Sequence, residues 1–160
     1  MARAPGYRIT ESLAQDFALL FLADTATGKQ VLQIGEIDLE KNRADCRLAY
    51  DPRFSADGNW LAFGEADQPN LHLWDMSRRK AVHRIPLKDS ERLIGFSRDG
   101  RTLVTWHQAS GVLHLWETLT GMERHKVTIG DSIKSVLLSP EGYTAALIKG
   151  NAVKFRGLKD

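Results

Sequence analysis

The sequence predicts an all-β repeat protein, and three observations carry that prediction. The stretch FSADGNWLAFGEADQPNLHLWD, Phe54–Asp75, returns 42 residues later as FSRDGRTLVTWHQASGVLHLWE, Phe96–Glu117, and begins once more after another 42 as LSPEG, Leu138–Gly142. Each period holds four short runs of apolar and β-branched residues bounded by turn residues, which is the pattern of strands. No stretch sustains helical periodicity over about ten residues.

In chain order, Pro5 and Gly6 stand where Asp57 and Gly58 stand in the next copy, with no β run before them, so the first copy is expected to lack its opening strand. Strands follow at Tyr7–Ala14, Phe17–Asp24 (FALLFLAD) and, after the turn Thr25–Lys29, Gln30–Ile34. From Asp24 to Phe54 there are 30 residues, against 21 from Asp75 to Phe96 and 21 from Glu117 to Leu138. The nine-residue excess (30 less 21) falls in or near Gly35–Cys46, GEIDLEKNRADC, a polar stretch that suits an exposed loop or one short helical turn. Loop lengthening costs little, so a tolerated insertion is the simpler reading, although long loops on regular scaffolds also carry binding sites.

The second copy gives strands at Asn59–Glu65, Leu71–Trp74, Ala81–Leu87 and Arg92–Phe96. The third gives Thr102–His107, Val112–Trp116, Arg124–Ile129 and Ile133–Leu138. The last gives Tyr143–Ile148 and Ala152–Phe155, joined by Gly150-Asn151 in a hairpin read as three residues shorter than its counterparts. Glycine and asparagine tolerate the positive φ such a tight turn demands.

A period of about 40–45 residues with four strands, and Trp-Asp closing the third, is the mark of a β-propeller blade. The chain resembles the WD-repeat family. The resemblance rests on Leu73-Trp74-Asp75 and Leu115-Trp116-Glu117, and on the turns Phe54–Gly58 and Phe96–Gly100, echoed by Leu138–Gly142. It implies blades of four antiparallel strands across nearly the whole chain. The family's Gly-His pair is absent, and the aspartate expected six residues before the tryptophan is replaced by Gln68, Ser110 and Lys149. This departure suits the looser bacterial WD-like propellers, and it leads one to expect blades held by apolar packing rather than by a buried polar network. In the family's own phase the units are about 29–75, 80–117 and 122–157, preceded by half a unit at 7–24, all in one domain 1–160. Three and a half blades make an incomplete ring, and an open ring leaves strand edges and apolar faces in water. Two expectations follow: a C-terminal part of a longer propeller, or a ring completed by copies of this chain or by another chain.

Composition narrows the partners. A net charge of +2, from 22 Lys and Arg against 20 Asp and Glu without long blocks, gives no basic stripe for nucleic acid or anionic membrane. The single Cys46 can form no internal disulfide and offers no zinc-ligand spacing. MARAPGYRIT has no signal-peptide core and no run approaches the ~18 apolar residues of a membrane span, so a cytoplasmic protein without metal or cofactor is expected.

Chemistry-bearing motifs are few. Ser77-Arg78-Arg79-Lys80 matches Ser-x-x-Lys but lacks the partner motifs and falls in a turn. His72 and His114 occupy equivalent positions in two copies, a blade apart, and read as packed strand histidines rather than ligands. Trp60, Trp74, Trp106 and Trp116 lie within strands and read as packing between blades. A better functional column comes from position: Tyr50, Arg92 and Lys134 each stand four residues before Phe54, Phe96 and Leu138, on the innermost strands. The resemblance places such residues at the channel mouth, where WD-repeat domains bind proteins. With Asp89, Asp131, Gln68, Asn70 and the 35–46 insertion they form the candidate recognition surface; the alternative is that Arg92 and Lys134 merely pair with neighbouring acids. The expected function is a non-catalytic interaction or scaffold module, with a regulatory propeller cut from a larger signalling protein or a self-assembling ring subunit as alternatives.

Overall fold

Strands form where apolar residues alternate and stop where Gly, Asn, Asp and Ser cluster, and the architecture follows that punctuation. The structure, a computed structural model, describes residues 3–4, 7–14, 17–34, 37–38, 43–44, 48–65 and 69–158. The strands are β1 (Arg3–Ala4), β2 (Tyr7–Ala14), β3 (Phe17–Asp24), β4 (Gln30–Ile34), β5 (Ile37–Asp38), β6 (Arg43–Ala44) and β7 (Leu48–Phe54). They continue as β8 (Trp60–Glu65), β9 (Asn70–Asp75), β10 (Lys80–Pro86), β11 (Glu91–Phe96), β12 (Thr102–His107), β13 (Val112–Glu117) and β14 (Glu123–Thr128). The last are β15 (Ser135–Leu138), β16 (Thr144–Lys149) and β17 (Ala152–Gly157). The described residues contain no helix.

Four antiparallel blade sheets and one small two-stranded sheet (β5–β6) result among the described residues, each blade sheet running through its strands in sequence order. Sheet 1 is β1–β4, sheet 2 is β7–β10, sheet 3 is β11–β14, and sheet 4 has three strands, β15–β17. Each repeat unit read from the sequence therefore starts on the outer strand of one sheet and ends on the third strand of the next. The opening strands lie innermost, with β11 touching both β7 and β15.

The core is divided among the spaces between sheets. Leu22 of sheet 1 packs with Leu61 and Phe63 of sheet 2. On its other side, sheet 2 sets Ala62, Leu71, Leu73 and Ile85 against Leu103 of sheet 3. Sheet 3 in turn sets Val104, Trp106, Leu113 and Leu115 against Val136, Ala145 and Leu147 of sheet 4. Alternate residues of one strand thus serve two interfaces, which is why β12 reads TLVTWH with its four central residues buried. At about 25 cal/mol per Å² these faces are the main attraction between neighbouring sheets.

Four features differ from the sequence expectations. The first sheet does have an opening strand, the two-residue β1, paired through Arg3↔Arg8 and Ala4↔Tyr7. The insertion is neither a bare loop nor a helical turn in its described part, because Ile37↔Ala44 and Asp38↔Arg43 pair as a small hairpin. The last hairpin closes at Lys149↔Ala152 where sheet 3 closes at His107↔Val112, so it is shorter by two residues rather than three. Strand β15 begins at Ser135 rather than Ile133, because Gly130 (φ 86°) and Ser132 (φ 59°) prolong the turn.

Candidate functional site

The turns that lead into the innermost strands share one end of the sheets with the turns between second and third strands. Backbone bonds tie them together: Gln108 N–H donates to Ser90 O (3.4 Å), Ile129 N–H to Gly111 O (2.8 Å) and Leu87 N–H to Pro69 O (2.5 Å). Ser90 (φ 66°) and Ser132 (φ 59°), one repeat apart, both hold the left-handed conformation, so the same strained turn precedes β11 and β15.

The sequence-selected residues distribute over this end as follows. Arg92 is exposed on β11 opposite Trp106, and Lys134 is exposed just before β15, its N–H donating to Ile148 O at 2.7 Å. Among the described residues neither cation enters an ion pair, so the reading in which they merely neutralise nearby acids finds no support. Asp89 is exposed in the turn before β11; exposed Asp131 faces Lys149 Nζ at 3.6 Å. Asn70 is half-buried and opens β9 opposite Pro86. Tyr50 lies on β7 paired with Gly64, and its side chain is outside the described set, as is all of Gln68. Topology thus gathers Asp89, Arg92, Asp131, Lys134 and Lys149 at one end of two adjacent sheets. Exposed groups of both signs therefore stand together at this end.

The opposite end is built for cohesion, and the repeat markers explain how. In the turn after β7, Ser55 Oγ donates to Asp57, Trp60 N–H donates to Ser55 Oγ (3.0 Å), and Gly58 N–H donates to Ser55 O (3.0 Å). The turn after β11 repeats this with Ser97 Oγ to Asp99 (2.6 Å), Thr102 N–H to Ser97 Oγ (3.0 Å) and Gly100 N–H to Ser97 O (2.9 Å). Successive turns then lock together: Arg98 N–H donates to Glu141 O (3.3 Å), and Tyr143 Oη–H donates to Asp99 Oδ2 (3.1 Å). Asp75 closes its own turn by accepting from Ser77 Oγ at 2.6 Å, which places the Ser-x-x-Lys serine in a structural bond. The Ser97 hydroxyl holds the Asp99 carboxyl below the usual range, and the Ser77 hydroxyl does the same for Asp75. Burial alone would raise Asp57, yet bonds from Ser55 and Asn59 outweigh it and lower that carboxyl too. A groove of about 160 Å³ lies at this end between sheets 3 and 4, lined in part by Arg124, His125, Tyr143 and Leu158. It is smaller than the ~300 Å³ at which small-molecule pockets begin.

Sequence reasoning expected no buried polar network, and sheet 3 overturns that expectation. Buried Glu91 accepts from Thr105 Oγ1–H and from Lys88 N–H (3.0 Å), while Thr105 Oγ1 accepts from Trp116 Nε1–H at 2.9 Å. The chain Lys88–Glu91–Thr105–Trp116 satisfies a carboxylate that burial would otherwise penalise. The matching positions are Ala49, Phe63 and Trp74 in sheet 2 and Ile133, Leu147 and Arg156 in sheet 4, so one sheet alone carries the network among these repeats. The lone signal in the sequence was Glu91 beside an apolar strand. His72 stacks on Phe63 with centroids 5.2 Å apart, and buried His114 bonds Glu123 through Nδ1 and stacks on Trp116 at 6.0 Å.

Repeated four-stranded antiparallel sheets, packed face to face with their first strands innermost, define a β-propeller, here an unclosed one. Comparison with solved structures agrees. The chain is similar to Kuenenia stuttgartiensis hydrazine synthase (TM-score 0.68, 17% identity), with 98% of this chain matching 45% of that one. It is similar to TolB from Acinetobacter baumannii (TM-score 0.67, 18% identity), with 98% matching 40%. It is also similar to the Cps50 (Swd1) β-propeller domain from Myceliophteria thermophila (TM-score 0.53, 20% identity), with 72% matching 36%. The chain therefore spans less than half the length of the solved chains it matches, and at these identities the likeness establishes the fold. No protein-family model and no curated protein matches the sequence.

Proposed function

We propose that this chain is a non-catalytic, cytoplasmic protein-interaction module whose partner docks on the end carrying Asp89, Arg92, Asp131 and Lys134. The observation that carries the reading is the pair Arg92 and Lys134: exposed, equivalent in adjacent repeats, and free of ion pairs among the described residues. Two fixed cations on a rigid scaffold select a partner segment with suitably spaced carboxylates, and electrostatic complementarity governs capture rate and specificity. Propellers commonly serve as interaction modules, which supports the reading by analogy of fold.

A displayed peptide library selected on the chain tests this. Acidic peptides should be enriched, and Arg92→Glu with Lys134→Glu should lower their affinity about tenfold or more. Arg78→Glu, in the turn at the opposite end, should leave binding unchanged. Selected peptides that bind the double variant as well as the original chain would sink the assignment.

A further inference from the structure

The outer strand of sheet 2, with the turn that leads into it, carries charge that its counterparts do not. Trp74↔Ala81, Ala23↔Gln30 and Trp116↔Glu123 are equivalent pairs, which aligns 75–86 with 24–35 of sheet 1 and 117–128 of sheet 3. Segment 24–35 holds Lys29 against Asp24, and 117–128 holds Arg124 and Lys126 against Glu117 and Glu123, so both sum to zero. Segment 75–86 holds Arg78, Arg79, Lys80 and Arg84 against Asp75 alone, 4 less 1 or +3, which exceeds the +2 of the whole chain. All four cations are exposed. Sheet 3 pairs its own cations, Arg124 with Glu117 at 3.8 Å and Lys126 with Glu123 at 3.1 Å. In sheet 2 Arg78 meets Asp75 at 3.5 Å, while Arg79 and Lys80 enter no ion pair among the described residues.

The backbone at Arg79 adds a second sign. Its φ is 52°, and the equivalent residues of sheets 1 and 3 are Gly28 (φ 70°) and Gly121 (φ 68°). The turn requires a left-handed residue, and two repeats meet that requirement with glycine at no steric cost. Sheet 2 keeps a strained backbone there and sets a guanidinium in the turn. Strain retained in one repeat of three points to a use for the side chain.

Beside this turn, sheet 3 exposes apolar side chains. Leu119 and Met122, between β13 and β14, are 74% and 68% exposed. Their turn abuts β10: His83 Nε2–H donates to Leu119 O at 2.8 Å, and a Cβ on Gly121 would stand 2.7 Å from His83 Cγ. A basic edge strand also deters pairing with a second chain, but Arg78 and Arg79 precede the strand, and the edge strand β14 carries no such excess. A nucleic acid would engage the cations and leave Leu119 and Met122 in water. Anionic headgroups over hydrocarbon use both.

We propose that β10, its entry turn and the tip of the β13–β14 turn bind an anionic lipid bilayer, with the cations against the headgroups and Leu119 and Met122 at the acyl boundary. Electrostatic attraction to anionic lipid and buried apolar area are the two contributions to reversible interfacial binding. The sequence expectation of no anionic-membrane contact came from the charge of the whole chain, which conceals this local excess. Arg92 and Lys134 stand at the opposite end of the sheets, so the two surfaces do not compete.

Co-sedimentation at about 0.1 M salt with phosphatidylcholine vesicles, with and without about one-third phosphatidylserine, tests the inference. The chain should bind the mixed vesicles, and lose them on pure phosphatidylcholine or at about 1 M salt. Arg79→Gly, Lys80→Met and Arg84→Gln give sheet 2 the residues of Gly121, Met122 and Gln33 at the equivalent positions of its neighbours. Together they should leave the far-ultraviolet dichroism unchanged and lower binding about a hundredfold, about fivefold per cation. Arg79→Gly alone, which relieves the backbone, should lower it about fivefold. Leu119→Ser with Met122→Thr should lower it about tenfold. Arg92→Glu with Lys134→Glu acts a strand length, about 20 Å, away and beyond the ~10 Å screening length, so it should change binding less than about twofold. A short DNA duplex, which offers nothing to Leu119 and Met122, should bind about tenfold more weakly than the vesicles. Absence of binding to the mixed vesicles, binding unchanged in Arg79→Gly or in the Leu119 and Met122 pair, an equal fall in the Arg92 and Lys134 pair, or a duplex bound as well as the vesicles would each overturn the proposal.

Discussion

The interlock between neighbouring turns can be tested with a glycine series that carries its own control. Gly142 (φ 79°), Gly100 (φ 67°) and Gly150 (φ 60°) all occupy the left-handed region, so alanine at any of them incurs a similar backbone cost of about 1–2 kcal/mol. The surroundings differ sharply. A Cβ on Gly150 would meet nothing within 4 Å, and one on Gly100 would stand 3.4 Å from Asp57 Oδ2, an ordinary contact with a movable carboxylate. A Cβ on Gly142 would stand 2.3 Å from Ser97 Cα, in the backbone of the adjacent sheet. Restoring 3.4 Å means parting sheets 3 and 4 locally by 3.4 less 2.3, or 1.1 Å. That shift would loosen Val136, Ala145 and Leu147 from Val104 and Leu115. Overpacking of this kind adds about 1–3 kcal/mol, so Gly142→Ala should cost about 2–5 kcal/mol and Gly150→Ala about 1–2. Urea unfolding followed by tryptophan fluorescence reads both, with unchanged m-values required for a stability comparison. If the two variants agree within about 0.5 kcal/mol, the close approach of Gly142 to Ser97 does not hold these sheets together.

Two more outcomes follow from the polar groups. Thr105→Val keeps the side chain's shape but strips Glu91 of a donor and Trp116 of its acceptor, so it should cost about 2–4 kcal/mol in the same urea assay, while Thr105→Ser should cost about 1 or less. Asp57, Asp75 and Asp99 are held below the ordinary carboxylate range by their turn hydrogen bonds, and Asp24 is lowered by the Thr27 N–H. A folded carboxyl with a depressed pKa stabilises the fold above its unfolded value near 3.8, and that contribution disappears as pH falls through the folded value. The melting temperature should therefore fall on acidification below about pH 4, and Ser97→Ala, which removes the largest cause acting on Asp99, should make that fall shallower. An equal acid slope in Ser97→Ala would show that the Ser97 bond does not set it.

Much of the fold was legible because the pleat writes itself into sequence with period two. The bounds of β2, β3, β4 and β12 fall where runs of apolar and β-branched residues meet turn residues, and 42-residue spacing gave the count of strands in each period. Strand β1 was not legible, since two residues before Pro5-Gly6 cannot show alternation, and the hairpin at β5 and β6 was hidden by its polar composition. The network through Glu91 escaped for a different reason. Comparing repeats brings out what they share, whereas Glu91 and Thr105 face apolar residues at the equivalent positions of sheets 2 and 4. In the proposed docking surface the exposure of Arg92 and Lys134 was legible from their place at strand starts. Their freedom from ion pairs was not, because pairing depends on where neighbouring turns set Asp89 and Asp131.

The two ends of the sheets use their polar groups differently, and the difference has a physical cause. Where the second strand begins, each Ser-x-Asp-Gly turn folds its carboxylate back on its own hydroxyl and backbone N–H groups, and Tyr143 adds a bond across sheets. Charge spent inside the turn is screened from any partner. At the other end Glu91 is buried against Thr105, and Asp131 is met by Lys149. Arg92 and Lys134 are left over, on backbones fixed by β12 and by Ile148. Side chains that remain unsatisfied while their backbones are rigid lose little entropy on binding beyond their own rotamers. That combination supports the proposed docking at the end where the innermost strands begin, with the opposite end holding the sheets together.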